Sequence, residues 1–162
     1  MTRDDGRAEV YAAEAAAFDG TDLEMIQPFE KIARLIDAVV DGEWWPGPPV
    51  RVVAARRDSL TSSARCTVDE AAMIRLAAPQ LTRATAAHEL AHALAGPGAG
   101  HAPIFLAAYL DVVAVITNLD PSDRRHQLHV GQLREALDAV GLVVGARAWP
   151  APPEATCTAI AL

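Results

Sequence analysis

Lysine is nearly absent from this chain, and so are the features that mark several function classes. Lys31 is the one lysine among fourteen basic residues; the arginines are scattered in ones and twos, and the formal net charge is -7. No basic stripe is available to neutralise a phosphate backbone, which argues against a nucleic-acid partner. Cysteine is scarce too: Cys66 and Cys157 are too few for a disulfide framework and make no paired C-x-x-C ribbon. The longest uncharged stretch, Leu90 to Leu110, is interrupted by Gly96-Pro97-Gly98 and two histidines, so nothing reaches the ~20 apolar residues of a membrane span. The start, Met1-Thr2-Arg3-Asp4-Asp5, is charged where a secretory leader would be apolar. These absences point to a soluble, cytoplasmic protein with neither membrane nor nucleic acid as partner.

What is present is enough apolar material for one domain over residues 1–162, at 51% hydrophobic and 22% charged residues. Helical spacing of Val10, Tyr11, Ala15 and Phe18 predicts a helix over 7–18, and Phe29, Ile32, Ile36, Val39 and Val40 predict a second after Pro28. Trp44-Trp45-Pro46-Gly47-Pro48-Pro49 excludes regular structure and reads as an aromatic flap sealing the core, rather than a stacking platform for substrate. Residues 50–54, 62–68 and 72–77 read as strands of a small, mainly antiparallel sheet. A helix then runs from Leu81 or Thr82 to about Ala95, Gly96 to Gly100 breaks it, and Pro103 opens another through Ile116. Leu128 to Val140 gives a last helix. The fold class expected is α+β, with a core about residues 50–116, helical additions over 1–42 and 120–147, and a loose tail over 148–162.

The string that carries chemistry is His88-Glu89-Leu90-Ala91-His92, an H-E-x-x-H pattern inside a segment that reads as helix on other grounds. Residues four apart share a helical face, so His88 and His92 can aim imidazole nitrogens at one zinc ion about 2.0–2.1 Å away. Glu89, one residue round the helix, is placed to take a proton from a bound water. A catalytic zinc needs a third protein ligand. His101 and Asp111 are the alternatives. His101 is favoured because the glycine hinge before it lets the chain reverse, and neutral imidazole suits zinc. Asp111, ten residues on, is turned about 80° from His101 on the same helix at about 100° per residue. Tyr109 and Asp111 are candidates for an oxyanion donor or for an acceptor to a ligand imidazole. His126 and His129 are expected on solvated surface, Cys66 as a small buried thiol and Cys157 in the tail.

The stretch from His88 to Phe105, with Gly100-His101-Ala102-Pro103-Ile104-Phe105 after the active helix, resembles the SprT-like zinc metallopeptidases among the zincins, and especially small actinobacterial metallohydrolases of that type. In that family G-H-x-P-x-F supplies the third zinc histidine; Ala102 stands where glycine is commoner. A metzincin is excluded, because its third histidine and its glycine would fall where Gly98 and Ala95 stand, and Arg65-Cys66-Thr67 does not match a deformylase ligand segment. The resemblance implies a single zincin-like domain holding one Zn²⁺ on His88, His92 and His101, with Glu89 as general base, hydrolysing a peptide or amide bond of a peptide or protein substrate. It also implies that the strand before the active helix, Met73, Ile74, Arg75, Leu76 and Ala77, lies at the sheet edge and pairs with an extended peptide; the apolar composition of that strand suits a buried one equally. The zinc ribbon and basic parts of the DNA-repair members have no counterpart here. The contrasting reading is a non-catalytic, zinc-stabilised protein-binding module.

Overall fold

Each run of apolar residues at helical spacing forms a helix in the computed structural model, which describes residues 4–120 and 126–154. Helix α1 (Arg7–Phe18) buries Val10, Ala13, Ala17 and Phe18, and α2 (Phe29–Val40) buries Ile32, Ile36 and Val39; both are apolar on one face, as their spacing requires. Helix α3 (Arg83–Ala95) opens on Thr82, whose hydroxyl accepts the Thr85 N–H at 3.1 Å, and closes at Gly96. Helix α4 (Pro103–Asn118) starts on a proline, and eleven of its sixteen residues are buried, which makes it the central helix of the molecule. Helix α5 (His126–Ala139) buries Leu133 and Leu137. The most extensive helix contacts are α3 on α4 and α1 on α5. No helix among the described residues is long and apolar enough to cross a membrane.

Three strands, β1 (Val50–Ala54), β2 (Ser63–Cys66) and β3 (Ala72–Leu76), stand in the order β1-β3-β2. Strand β3 pairs in parallel with β1, from Val50 opposite Ala72 to Ala54 opposite Leu76, and antiparallel with β2, from Ser63 opposite Arg75 to Cys66 opposite Ala72. The sheet is therefore mixed, which corrects the expectation of a mainly antiparallel one. The cause is the connection over 55–62, too long for a tight hairpin. It carries the chain past the place beside β1, and β3 fills that place after the short turn over 67–71. The substrate-strand expectation for Met73, Ile74, Arg75, Leu76 and Ala77 is corrected with it. β3 is central, both its edges are paired, and the Ala77 N–H is already donated to Ser62 Oγ at 2.9 Å, so no backbone edge remains there for a peptide.

One hydrophobic core joins Val10 and Phe18 of α1, Ile32 and Ile36 of α2, and Leu133 and Leu137 of α5 to the residues of α3, α4 and β3. The terminal helices are thus walls of the same core. After α5 the chain runs back over α4: the Gly145 N–H donates to Pro103 O at 2.9 Å, and Trp44 Nε1 donates to Pro150 O at 2.9 Å. Of the expected loose tail from Ala148, Trp149 is tied to Asp111 and Pro150 to Trp44; residues from 155 on, Cys157 among them, lie outside the described residues. Trp44 and Trp45 are half-buried against the core, as a sealing flap should be, and Trp45 Nε1 is satisfied by Pro48 O at 2.8 Å.

Candidate metal centre

His88 and His92 stand on one face of α3, as their spacing requires. The return of the chain to them depends on glycine. Gly96 has φ 94° and Gly100 φ 56°, values that a side chain disfavours, and between them Pro97–Ala99 makes a single tight turn. That reversal brings His101, the residue before the N-cap of α4, back over α3. His88 Nε2 lies 3.1 Å from His92 Nε2 and 3.3 Å from His101 Nε2, and the three ligand atoms all fall within 4.8 Å of one another. Two nitrogens bound tetrahedrally at about 2.0–2.1 Å from zinc would be roughly 3.3–3.4 Å apart. Phe105, fully buried one turn into α4, packs its ring 4.4 to 5.1 Å from all three imidazoles and forms an apolar floor beneath them.

The far nitrogens have partners that decide the protonation pattern. His88 Nδ1 bonds the Glu14 carboxylate, and His101 Nδ1 donates to Asp4 Oδ2 at 2.7 Å while its backbone N–H donates to Asp4 Oδ1 at 3.0 Å. An ionised carboxylate only accepts, so Nδ1 carries the proton on both rings, and in the neutral imidazoles both Nε2 present lone pairs. Two lone pairs 3.3 Å apart repel unless a proton or a metal ion lies between them. The donor set and the spacing therefore fit a zinc ion.

Charge follows the same geometry. Burial, reinforced by the neighbouring His88 and His101, pushes His92 down to about 3, and burial also lowers His101 despite Asp4. Burial opposes charge on His88 as well, but the hydrogen bond and charge of Glu14 outweigh it and raise the group. Glu89 is 6% exposed, and its Oε2 has no hydrogen-bond partner among the described residues. Burial, opposed by His88 and aided by Glu14, lifts its carboxyl to about 7. A cleft of about 310 Å³ opens onto His88 and Glu89 between α1, through Arg7, Tyr11 and Glu14, and the segment entering β2, through Thr61 and Ser62. A larger hollow of about 650 Å³ touches Asp4 and His101 but reaches neither Glu89 nor His88.

Of the other candidate residues, Tyr109 borders the centre and Asp111 and His129 lie away from it. Tyr109 is fully buried with its ring centroid 5.5 Å from that of His88, and its hydroxyl lies beside Glu14, the carboxylate that bonds His88 Nδ1. An oxyanion donor would have to face the Nε2 side. Asp111 points away from the histidines and is held by Arg147 Nε and Nη2 at 2.7 and 2.9 Å and by Trp149 Nε1 at 2.9 Å. His129 is not on solvated surface: it is 2% exposed, packs 6.4 Å from the ring of Phe18 and sets Nε2 3.4 Å from Asp22 Oδ1. The side chain of His126 lies outside the described residues. Cys66 is exposed, not buried, because it ends an edge strand.

Reading the sequence missed α1 as part of the centre. Tyr11 stacks on His88 at 5.7 Å and meets His101 edge-on at 5.8 Å, with the Arg7 guanidinium 5.5 Å from the Tyr11 ring. A signal existed. Tyr11, Glu14 and Phe18 recur at helical spacing beside the buried Val10, Ala13 and Ala17, so Glu14 falls on the inward side of an otherwise apolar helix. Comparison with protein-family models, curated proteins and solved structures finds no match to this chain.

Proposed function

We propose that this chain is a zinc-dependent hydrolase of peptide or amide bonds, with a zincin-like core of the SprT-like kind. In this reading His88, His92 and His101 hold the ion and Glu89 is the general base. The observation that carries it is the buried Glu89 carboxylate, with an oxygen left without a partner among the described residues, one residue from His88 and on the cleft that opens there. An uncompensated buried oxygen is costly, and a reacting water is the partner that would satisfy it. A zinc ion bound there supplies an acidified water and a Lewis acid for the scissile carbonyl. Glu89 accepts the proton of the attacking water and returns it to the leaving nitrogen. Phe105 and Tyr11 shield the imidazoles from bulk water. The substrate is a peptide or protein rather than nucleic acid, given the net charge of -7. The exposed free thiol of Cys66 suits a reducing cytoplasm.

The non-catalytic module accounts for the three histidines but leaves Glu89 without a role, since a structural zinc closes its coordination with a fourth ligand and needs no base. The test is Glu89→Gln. The variant is expected to keep about one zinc per chain and lose roughly 10²–10⁴-fold in hydrolysis of a peptide that the wild type cleaves from a library. Undiminished cleavage removes Glu89 from the mechanism, and a wild type that cleaves no member of the library leaves the binding module as the function.

A further inference from the structure

Two carboxylates reach the centre from far away along the chain: Glu14 is 74 residues from His88, and Asp4 is 97 residues from His101. We propose that Asp4 and Glu14 are positioning residues for the metal, each gripping an imidazole by Nδ1 so that Nε2 of His101 and of His88 faces the ion's place before the ion arrives. The inference rests on the reading of His88, His92 and His101 as zinc ligands.

The grip on His101 has two points. Asp4 takes its ring through one oxygen and its backbone N–H through the other, at 2.7 and 3.0 Å. His101 follows a glycine hinge and is the ligand least fixed by local helical geometry, so it has the most to gain from an external hold. Gly100 makes room for that hold: a Cβ on it would sit 2.7 Å from Asp4 Oδ1. The grip on His88 is drier, with the histidine side chain 8% and that of Glu14 17% exposed, so water is poorly placed to substitute for the carboxylate. Both contacts fix the tautomer that a ligand imidazole needs and raise its donor strength, and the two negative charges offset those of a divalent cation. Docking of α1 does not require them, because Val10, Ala13, Ala17 and Phe18 already anchor that helix in the core.

The test uses the full chain, with zinc affinity read by competition against a chromophoric chelator and ligand geometry read from the visible absorption of the Co²⁺-loaded protein. Asp4→Asn and Glu14→Gln are compared with wild type and with Glu9→Gln, which removes the same charge from an exposed position of α1. Asp4→Asn and Glu14→Gln are expected to bind zinc roughly 10–100-fold more weakly and to shift the Co²⁺ band. Glu9→Gln should stay within about twofold of wild type. The metal-free forms should melt alike; if Glu14→Gln melts lower, Asp4→Asn, altered at a side chain 35% exposed near the chain's start, decides the matter. Affinities and spectra for both variants matching those of Glu9→Gln overturn the inference and leave the metal site standing. A wild type that takes up no zinc brings down the reading of the site itself.

Discussion

Asp111 and Glu89 are both buried carboxylates on the central helix pair, 4% and 6% exposed, and they are treated in opposite ways. Asp111 receives three N–H groups from Arg147 and Trp149, delivered by the segment that follows α5. Glu89 keeps an oxygen with no partner among the described residues, and burial raises its carboxyl to about 7. A buried charge with its lone pairs filled ties elements together, whereas one left unfilled is a cost that persists where chemistry needs it. The two ends of the chain repeat the contrast. The C-terminal segment brings a cation to Asp111 and anchors itself, while the N-terminal segment brings carboxylates to imidazoles whose other nitrogens converge.

The sharpest way to break this comparison is to exchange the roles of His101 and Asp111. His101→Ala is expected to weaken zinc binding by well over the roughly 10–100-fold that losing a hydrogen-bonding partner of a ligand costs, while Asp111→Ala leaves the affinity nearly unchanged. Chelator competition ranking the two the other way would move the ligand set to α4. Asp111→Ala is next in size, and its effect belongs to stability: about 2–3 kcal/mol lost in urea unfolding of the metal-free protein, less than the roughly 3–5 kcal/mol of a fully buried pair because Arg147 is 45% exposed. A variant as stable as wild type would mean that the C-terminal segment is held by its apolar contacts alone. The smallest effect sharpens the same side. Trp149→Phe removes one of the three donors to Asp111 and keeps most of the ring, and is expected to cost about 1 kcal/mol with zinc affinity unaltered.

Much of this was legible because it is local. The helix over 7–18 is found with those bounds, the strand over 50–54 likewise, and α3 and α4 break at the glycines where the sequence breaks. His88, Glu89 and His92 follow from spacing within one helix, and His101 from a hinge only a few residues long. What was not legible is relational. Nothing in residues 55–62 announces that β3 will enter between β1 and β2, so an edge strand and a central strand of the same composition could not be told apart. Asp111 offered a carboxylate at a plausible distance in sequence, yet its partner is 36 residues further on.

The sequence by itself therefore determined the elements and the part of the centre that lies within one turn-and-return of chain, because helical period and glycine conformations act over a few residues. The tertiary structure alone decided which nitrogen of the His88 and His101 imidazoles faces inward. That choice belongs to Asp4 and Glu14, whose arrival at α3 and His101 depends on how the apolar face of α1 packs into the core and on no pattern shared with the histidines they hold.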